Sequence, residues 1–436
     1  RPSLKIFSEK YQSYFACRAP ATEEPAGRLV PVDPGGAEPA AVRLMQRMDV
    51  GLAKIGWNFQ RYGQWIPPQA IRFSDFTWAC QADPRKYPEI SVREVRSLAE
   101  ALSTAGIQPV LGAAFSLRCD RSLAEDIFFA DIARDELGAP IESGDGAVLM
   151  HSSPTSPFGR HILEQQRLMI DTYPEAAGFY FEDLSRAAVD FAHDDNLTMV
   201  HNRPACNLGN IFRTLGPKLA RMVHDAGKLV LARPATTISA SRGIDIFCFE
   251  GEDLDRNIGA LALMCLDRPV VSLPARDETP DPVELELEMQ RQILWGVLPS
   301  TSLMQASPEL ARAYRLLHQS LKGRKWILEP HALGQFPKGV RGNLFRVPSS
   351  DRPDRTDLLV TVVRPGVRLA DQSSGRGVSV RVRLPGAERL TRALWTAAAR
   401  PAWPVPLNAV YDNEAGELKV ELPPFGPAGV LRLARR

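Results

Sequence analysis

The stretch GFYFEDLSR, residues 178–186, ends an aromatic run in two adjacent carboxylates, Glu182 and Asp183. Neighbouring acids are costly to desolvate, so a pair closing an apolar strand is exposed, paired or functional. A second acidic cluster closes another apolar run: Glu250, Glu252 and Asp253 in FCFEGED, residues 247–253. Two carboxylates on different strands suit glycosidic bond cleavage. One protonates the leaving oxygen, while the other attacks the anomeric carbon or activates a water. Alternation along an extended strand sends Glu182 and Asp183 to opposite faces, so only one of the two serves as the nucleophile.

Groups suited to holding a sugar cluster in the same parts of the chain. Trp57 and Arg61 follow an early strand-like run, Arg233 stands in LARPAT, and Arg276 in PARDET. The stretch DFAHDDNLTMVHNRPACN, residues 190–207, carries His193, Asp194, Asp195, His201 and Arg203. Indole faces stack on sugar C–H surfaces, and Asp, Arg and His bond hydroxyls. Several arginines in one region would also suit an anionic sugar, if they are not already neutralising nearby acids. A metal-dependent barrel hydrolase would require His193 or His201 to meet carboxylates around one ion. Adjacent residues such as His193, Asp194 and Asp195 seldom converge in that way, and neither H-x-H nor H-E-x-x-H spacing is present. No metal or cofactor is therefore expected. Phosphate-loop, dinucleotide and nucleophile-elbow motifs are also absent.

The elements that would position these groups alternate strand and helix. Strand-like runs are expected at 13–20, 52–63, 108–117, 177–184, 229–235, 244–253, 269–275 and 297–303, separated by amphipathic helices. Ser91 and Glu94 make a capping box for a helix over 91–107, and Gly106 is a natural stop. Pro157 opens a helix that ends before Pro174, another helix is expected over 207–228, and Ser307 caps one over 307–323. Eight near-continuous apolar strands with intervening helices predict an α/β chain whose first domain, residues 1–323, is a (β/α)8 TIM barrel. From 324 to 436 the pattern changes to alternating strands broken by Pro and Gly, which predicts an antiparallel β-sandwich. That domain reads as a buttress, with Trp395, Trp403 and Tyr411 as its exposed-looking aromatics.

The local units and the domain order together resemble the melibiase-related glycoside hydrolases of the α-galactosidase superfamily. The residues that carry the resemblance are GFYFEDL, the helix–strand unit SPFGRHILEQQRLMIDTYPEAAGFYFED, the HDDN…HNRP stretch and the β-sandwich after the barrel. The resemblance implies a nucleophilic Asp at the end of strand four, which Asp183 matches, and an acid/base near strand six, for which Glu250, Glu252 and Asp253 compete. Position 181 is Phe, where that family usually has Lys. The expectation is a retaining hydrolase of an α-linked sugar, with Asp183 as nucleophile, Glu250 as acid/base and Glu182 tuning the pair. Trp57, Arg61, Asp195, His201, Arg203, Arg233, Asp253 and Arg276 are the expected binding groups. A non-catalytic carbohydrate-binding protein on the same barrel is the alternative from another class.

Composition agrees with a glycoside, oligosaccharide or polysaccharide partner. The 53 basic and 51 acidic residues give a net charge of +2, with no basic block for a nucleic acid. No apolar run reaches the length needed to cross a membrane. The six cysteines form no C-x-x-C pair and read mostly as small buried hydrophobes. The chain opens RPSLKIF, without methionine or an apolar signal core, as it would after removal of a leader or an upstream domain.

Overall fold

The computed structural model describes residues 28–32, 42–43, 45–46, 50–56, 59–80, 89–114, 117–144, 146–181, 188–233, 241–250, 265, 268–273, 281–299, 307–349, 351–352, 354–371, 377–399 and 403–435. The chain divides into two compact units, one built on Leu29–Cys248 and the other on Phe249–Arg436. The strand expected at 13–20 lies outside the described residues.

The first unit is organised around one sheet. In chain order its strands here are β1 (Arg28–Val32), β2 (Val50–Ile55), β3 (Gln108–Ala114), β4 (Gly178–Phe181), β5 (Leu229–Ala232) and β6 (Ile246–Glu250), each beside the next. The pairings from β2 to β6 are all parallel. Neighbours in sequence thus become neighbours in the sheet, and the result is a parallel half-barrel. All of β4 and β5 is buried, as expected of strands covered on both faces.

Helices supply the crossovers, and their sequences explain their limits. Helix α1 (Val92–Thr104) joins β2 to β3 and begins with the expected capping box. The Ser91 hydroxyl accepts from the Glu94 N–H at 3.3 Å, and the Glu94 carboxylate accepts from the Ser91 N–H at 2.8 Å. Val92, Val95, Leu98 and Leu102 form its buried face, and Gly106 takes a φ of +77° just beyond its end. Helix α2 (Pro157–Thr172) joins β3 to β4 and is capped by Ser156. Gly159 is required there, because a Cβ would stand 1.8 Å from the Ser153 carbonyl oxygen. The helix expected over 207–228 is two pieces, a short turn at Leu208–Ile211 and α3 (Leu215–Asp225).

The register defines the two faces of the half-barrel. Phe179 pairs with Val230 and Phe181 with Ala232, so these four share one face, and Tyr180 shares the opposite face with Leu231. Phe181 and Val230 line a small cavity with Leu219 and Ala220 of α3, which makes theirs the helix-covered face. The Lys54 ammonium, from β2, lies 3.9 Å from the centroid of the Tyr180 ring. Gly112, which pairs with Tyr180, keeps the space between them open: a Cβ there would come within 3.0 Å of Lys54 Cε.

The second unit contains β7 (Val270–Leu273), α4 (Pro282–Trp295) and α5 (Pro308–Ser320). Among the described residues the expected eighth strand is a single parallel bridge, Val271 to Leu298. Two antiparallel sheets follow. One runs Lys325–Trp326, Arg341–Pro348, Thr356–Val363, Ala428–Ala434, Arg392–Ala397 and Val405–Leu407, and the other Val378–Val382, Glu417–Leu422 and Ala409–Asp412. Val360, Trp395 and Leu431 of the first share one core with Val380, Leu418 and Val420 of the second. Trp395 is therefore a core residue against Phe425, not an exposed aromatic, whereas Trp403 is exposed. Helix α4 is tied to the same sheets through Asn343, whose amide donates to the Leu294 carbonyl at 2.8 Å. Among the described residues no helix is long and apolar enough to cross a membrane.

Candidate functional site

Three of the strand ends bear directly on the expected chemistry. β4 is described through Phe181, and the Glu182–Asp183 pair that follows lies outside the described residues, as do Trp57, Asp253 and Arg276. Glu250 is the last residue of β6. Arg233 directly follows β5, the strand between β4 and β6, and is half-buried. Arg61 sits in a tight turn after β2, where its guanidinium donates to Gln64 Oε1 at 2.9 Å and lies 3.8 Å from Asp120.

The structure gathers Asp195, His201 and Arg203, but as parts of an antiparallel excursion rather than as a loop. Val189–Asp190, Arg203–Asn207 and Thr198–Val200 form a small sheet, with Val200 opposite Arg203. The two residues between them, His201 and Asn202, have φ of 49° and 60°. A positive φ at both positions is the signature of a type I′ hairpin turn. His201 is thus an exposed turn residue, with Nδ1 3.2 Å from the Glu136 carboxylate. Arg203 is exposed and stacks over the Phe191 ring at 5.2 Å.

Asp195 organises this excursion. Its Oδ1 accepts from the N–H groups of Leu197 and Thr198, and its Oδ2 from the Asn207 N–H, the Thr198 hydroxyl and the Asn210 amide. Partial burial would raise its pKa, but these bonds, led by Asn210 and Thr198, outweigh burial and hold the carboxyl at about 2.

A cluster that neighbouring positions in the sequence do not suggest lies at the base of the same excursion. A second small sheet, Arg118–Asp120, Ala147–Leu149 and Glu142–Gly144, precedes α2. His151, just after that sheet, stacks on His193 with ring centroids 4.2 Å apart and planes within 13°. Asp190 is fully buried. Its Oδ1 accepts from the N–H groups of Arg134 and Ala192, and its Oδ2 lies 2.5 Å from His193 Nδ1. His193 Nε2 lies 2.9 Å from the Ala130 carbonyl oxygen. Both ring nitrogens of His193 therefore face acceptors. Burial alone would lower its pKa, but Asp190, the Ala130 carbonyl and the charge of Asp131 together raise it. Burial and the neighbouring His193 lower that of His151. Cys206, paired with Asp190 across the sheet, is pushed up to about 12 by burial and the nearby carboxylates, so it remains a thiol. The five described cysteines are all buried.

No known family's sequence profile matches the chain, and no curated protein matches it in sequence. Solved structures do match its fold. A cycloisomaltooligosaccharide glucanotransferase from Paenibacillus sp., complexed with cycloisomaltoheptaose, superposes with a TM-score of 0.63 at 9% identity, over 93% of this chain and 85% of that one. A noncanonic maltogenic α-amylase from Thermotoga neapolitana gives 0.56 at 9% identity, over 94% of this chain and 99% of that one. A GH36 α-galactosidase from Geobacillus stearothermophilus in complex with stachyose gives 0.57 at 11% identity, over 99% of this chain but 58% of that one. The chain therefore has a glycoside hydrolase-like fold.

Proposed function

We propose that this protein is a retaining glycoside hydrolase acting on an α-linked sugar. It is built on a complete (β/α)8 barrel over residues 1–323 with a β-sandwich over 324–436, and its proposed kinship is with the melibiase-related enzymes. What supports the reading is a glycoside hydrolase-like fold together with the acidic residues that the sequence carries at or just after the ends of two of its strands. The buried strand β4 leads directly into Glu182 and Asp183, and β6 ends on Glu250. In parallel barrels catalytic groups come from the C-terminal ends of strands. Three solved structures of similar fold are a cycloisomaltooligosaccharide glucanotransferase, a maltogenic α-amylase and an α-galactosidase, two of them with a bound oligosaccharide, which supports the reading.

In the proposed reaction Asp183 attacks the anomeric carbon. The bond to the leaving oxygen breaks as Glu250 protonates that oxygen. Glu250 then takes a proton from water, which displaces Asp183 and frees the sugar. Glu182 tunes the pair or bonds a hydroxyl. Among the expected binding groups, Arg233 is the one described beside a parallel strand's C-terminal end, and it is proposed to bond the substrate. Trp57, Asp253 and Arg276 keep their proposed binding roles. Arg61, Asp195, His201 and Arg203 each have protein partners that sugar binding would have to share or displace. Release of nitrophenol from a panel of aryl α-glycosides tests the proposal. Turnover in the wild type, reduced at least ~1000-fold in Asp183→Asn and Glu250→Gln, is expected. Full activity in Asp183→Asn would sink the assignment.

A further inference from the structure

We propose that His151, Asp190 and His193 form a binding site for one divalent transition-metal ion of the zinc class, which pins the two antiparallel excursions of the first unit together. One donor atom from each residue lies within 4.8 Å of the other two. The donors come from separate points of the fold: His151 follows the sheet that precedes α2, while Asp190 and His193 belong to the excursion after β4.

Each donor is prepared for a ligand in a different way. Asp190 is fully buried, and two backbone N–H groups occupy its Oδ1, which leaves Oδ2 to face the cluster. His193 is oriented by the Ala130 carbonyl at Nε2, so Nδ1 is the nitrogen presented inward. A metal-bound imidazole held at its other nitrogen by a backbone carbonyl is the usual outer-shell arrangement. His151 Nδ1 is buried and, among the described residues, meets no hydrogen-bond partner, which suits it to bind an ion. Two imidazoles and one carboxylate suit zinc-like ions rather than calcium or magnesium, which take oxygen donors.

Holding one ion requires donors as far as 4.8 Å apart to close toward tetrahedral spacing and the two stacked rings to turn, because one ion cannot lie in the planes of two parallel imidazoles. Ligands 2.0–2.1 Å from a tetrahedral ion stand roughly 3.3–3.4 Å apart. The 2.5 Å contact between Asp190 Oδ2 and His193 Nδ1 must therefore open by about 0.9 Å, with a tilt of the stacked rings. A water would complete the shell, and the His193 side chain is 18% exposed, which gives it access. The site does not depend on whether the chain hydrolyses sugars.

The test is titration of the full chain, treated with chelator and dialysed, with ZnCl2 in a calorimeter at neutral pH. One equivalent per chain, bound at micromolar Kd or tighter and weakened at least ~100-fold in His151→Gln and in Asp190→Asn, is expected. Zinc should also release a proton when it takes Nδ1 of His193, seen as a heat that varies with the buffer's ionisation enthalpy. Should Asp190→Asn not fold, the visible band of bound Co2+ decides instead, being present in the wild type and lost in His151→Gln. Either no binding tighter than about 1 mM, or stoichiometric binding that His151→Gln leaves unchanged, overturns the assignment.

Discussion

Replacing Asp195 with alanine removes an acceptor that five donors share. They are the N–H groups of Leu197 at 2.9 Å, Thr198 at 2.7 Å and Asn207 at 3.1 Å, the Thr198 hydroxyl at 2.8 Å and the Asn210 amide at 2.9 Å. A hydrogen bond to a charged group contributes about 1.5–3 kcal/mol, but Asp195 is only half-buried and water would replace part of the set. The net local loss should be about 2–4 kcal/mol, which is roughly a 30- to 1000-fold rise in the opening equilibrium. Hydrogen exchange read by mass spectrometry on a peptide spanning 195–207 measures this directly. Exchange at the Leu197, Thr198 and Asn207 amides should accelerate by that factor in Asp195→Ala, while α1, in the same unit, stays unchanged. Unaltered exchange in a variant that loses sugar affinity would refute the structural account and make Asp195 a substrate contact.

Burial raises the Glu286 carboxyl above its ordinary range, against the opposing bonds from the Leu369 N–H and the Tyr314 hydroxyl. A raised folded-state pKa means that the stabilising contribution is complete below the unfolded value near 4.3 and is lost as pH rises through the folded value. Glu286→Gln should therefore have a higher Tm than the wild type at pH 8 and a similar one at pH 4, and a pH-independent difference contradicts this. Gly159→Ala forces a Cβ against the Ser153 carbonyl and should cost about 1–3 kcal/mol, seen as a Tm lowered by several degrees. An unchanged Tm would show that the 153–159 turn yields freely. Arg233→Ala should raise KM for the cleaved glycoside about 10- to 100-fold, while Arg203→Ala, whose guanidinium lies over Phe191, should change kcat/KM less than about twofold. The reverse ranking would move substrate recognition to the excursion.

Features determined by nearby residues were legible in the sequence. The Ser91–Glu94 capping box, Pro157 at the start of its helix, the Ser307 cap and the apolar run at 178–181 all name their own elements. The antiparallel excursions were not legible, because VHNR reads as a polar ligand loop unless a turn with two positive φ values is sought. The His151–Asp190–His193 cluster escaped for a different reason. In the sequence His193 stands beside Asp194 and Asp195, whereas its partners are Asp190, three residues back, and His151, which only the tertiary fold supplies. Trp395 looks exposed in the sequence because alternation places a residue on a face without saying that a second sheet covers it.

Covalent trapping at the proposed nucleophile tests the central reading most directly. A fluorinated aryl α-glycoside, which lets the first displacement proceed and slows the second, should leave one sugar on the protein. Peptide mass spectrometry of the adduct should then place that sugar on Asp183, within GFYFEDLSR. A sugar on Glu182 would contradict the assignment of the nucleophile. Turnover without any adduct would contradict the retaining mechanism itself.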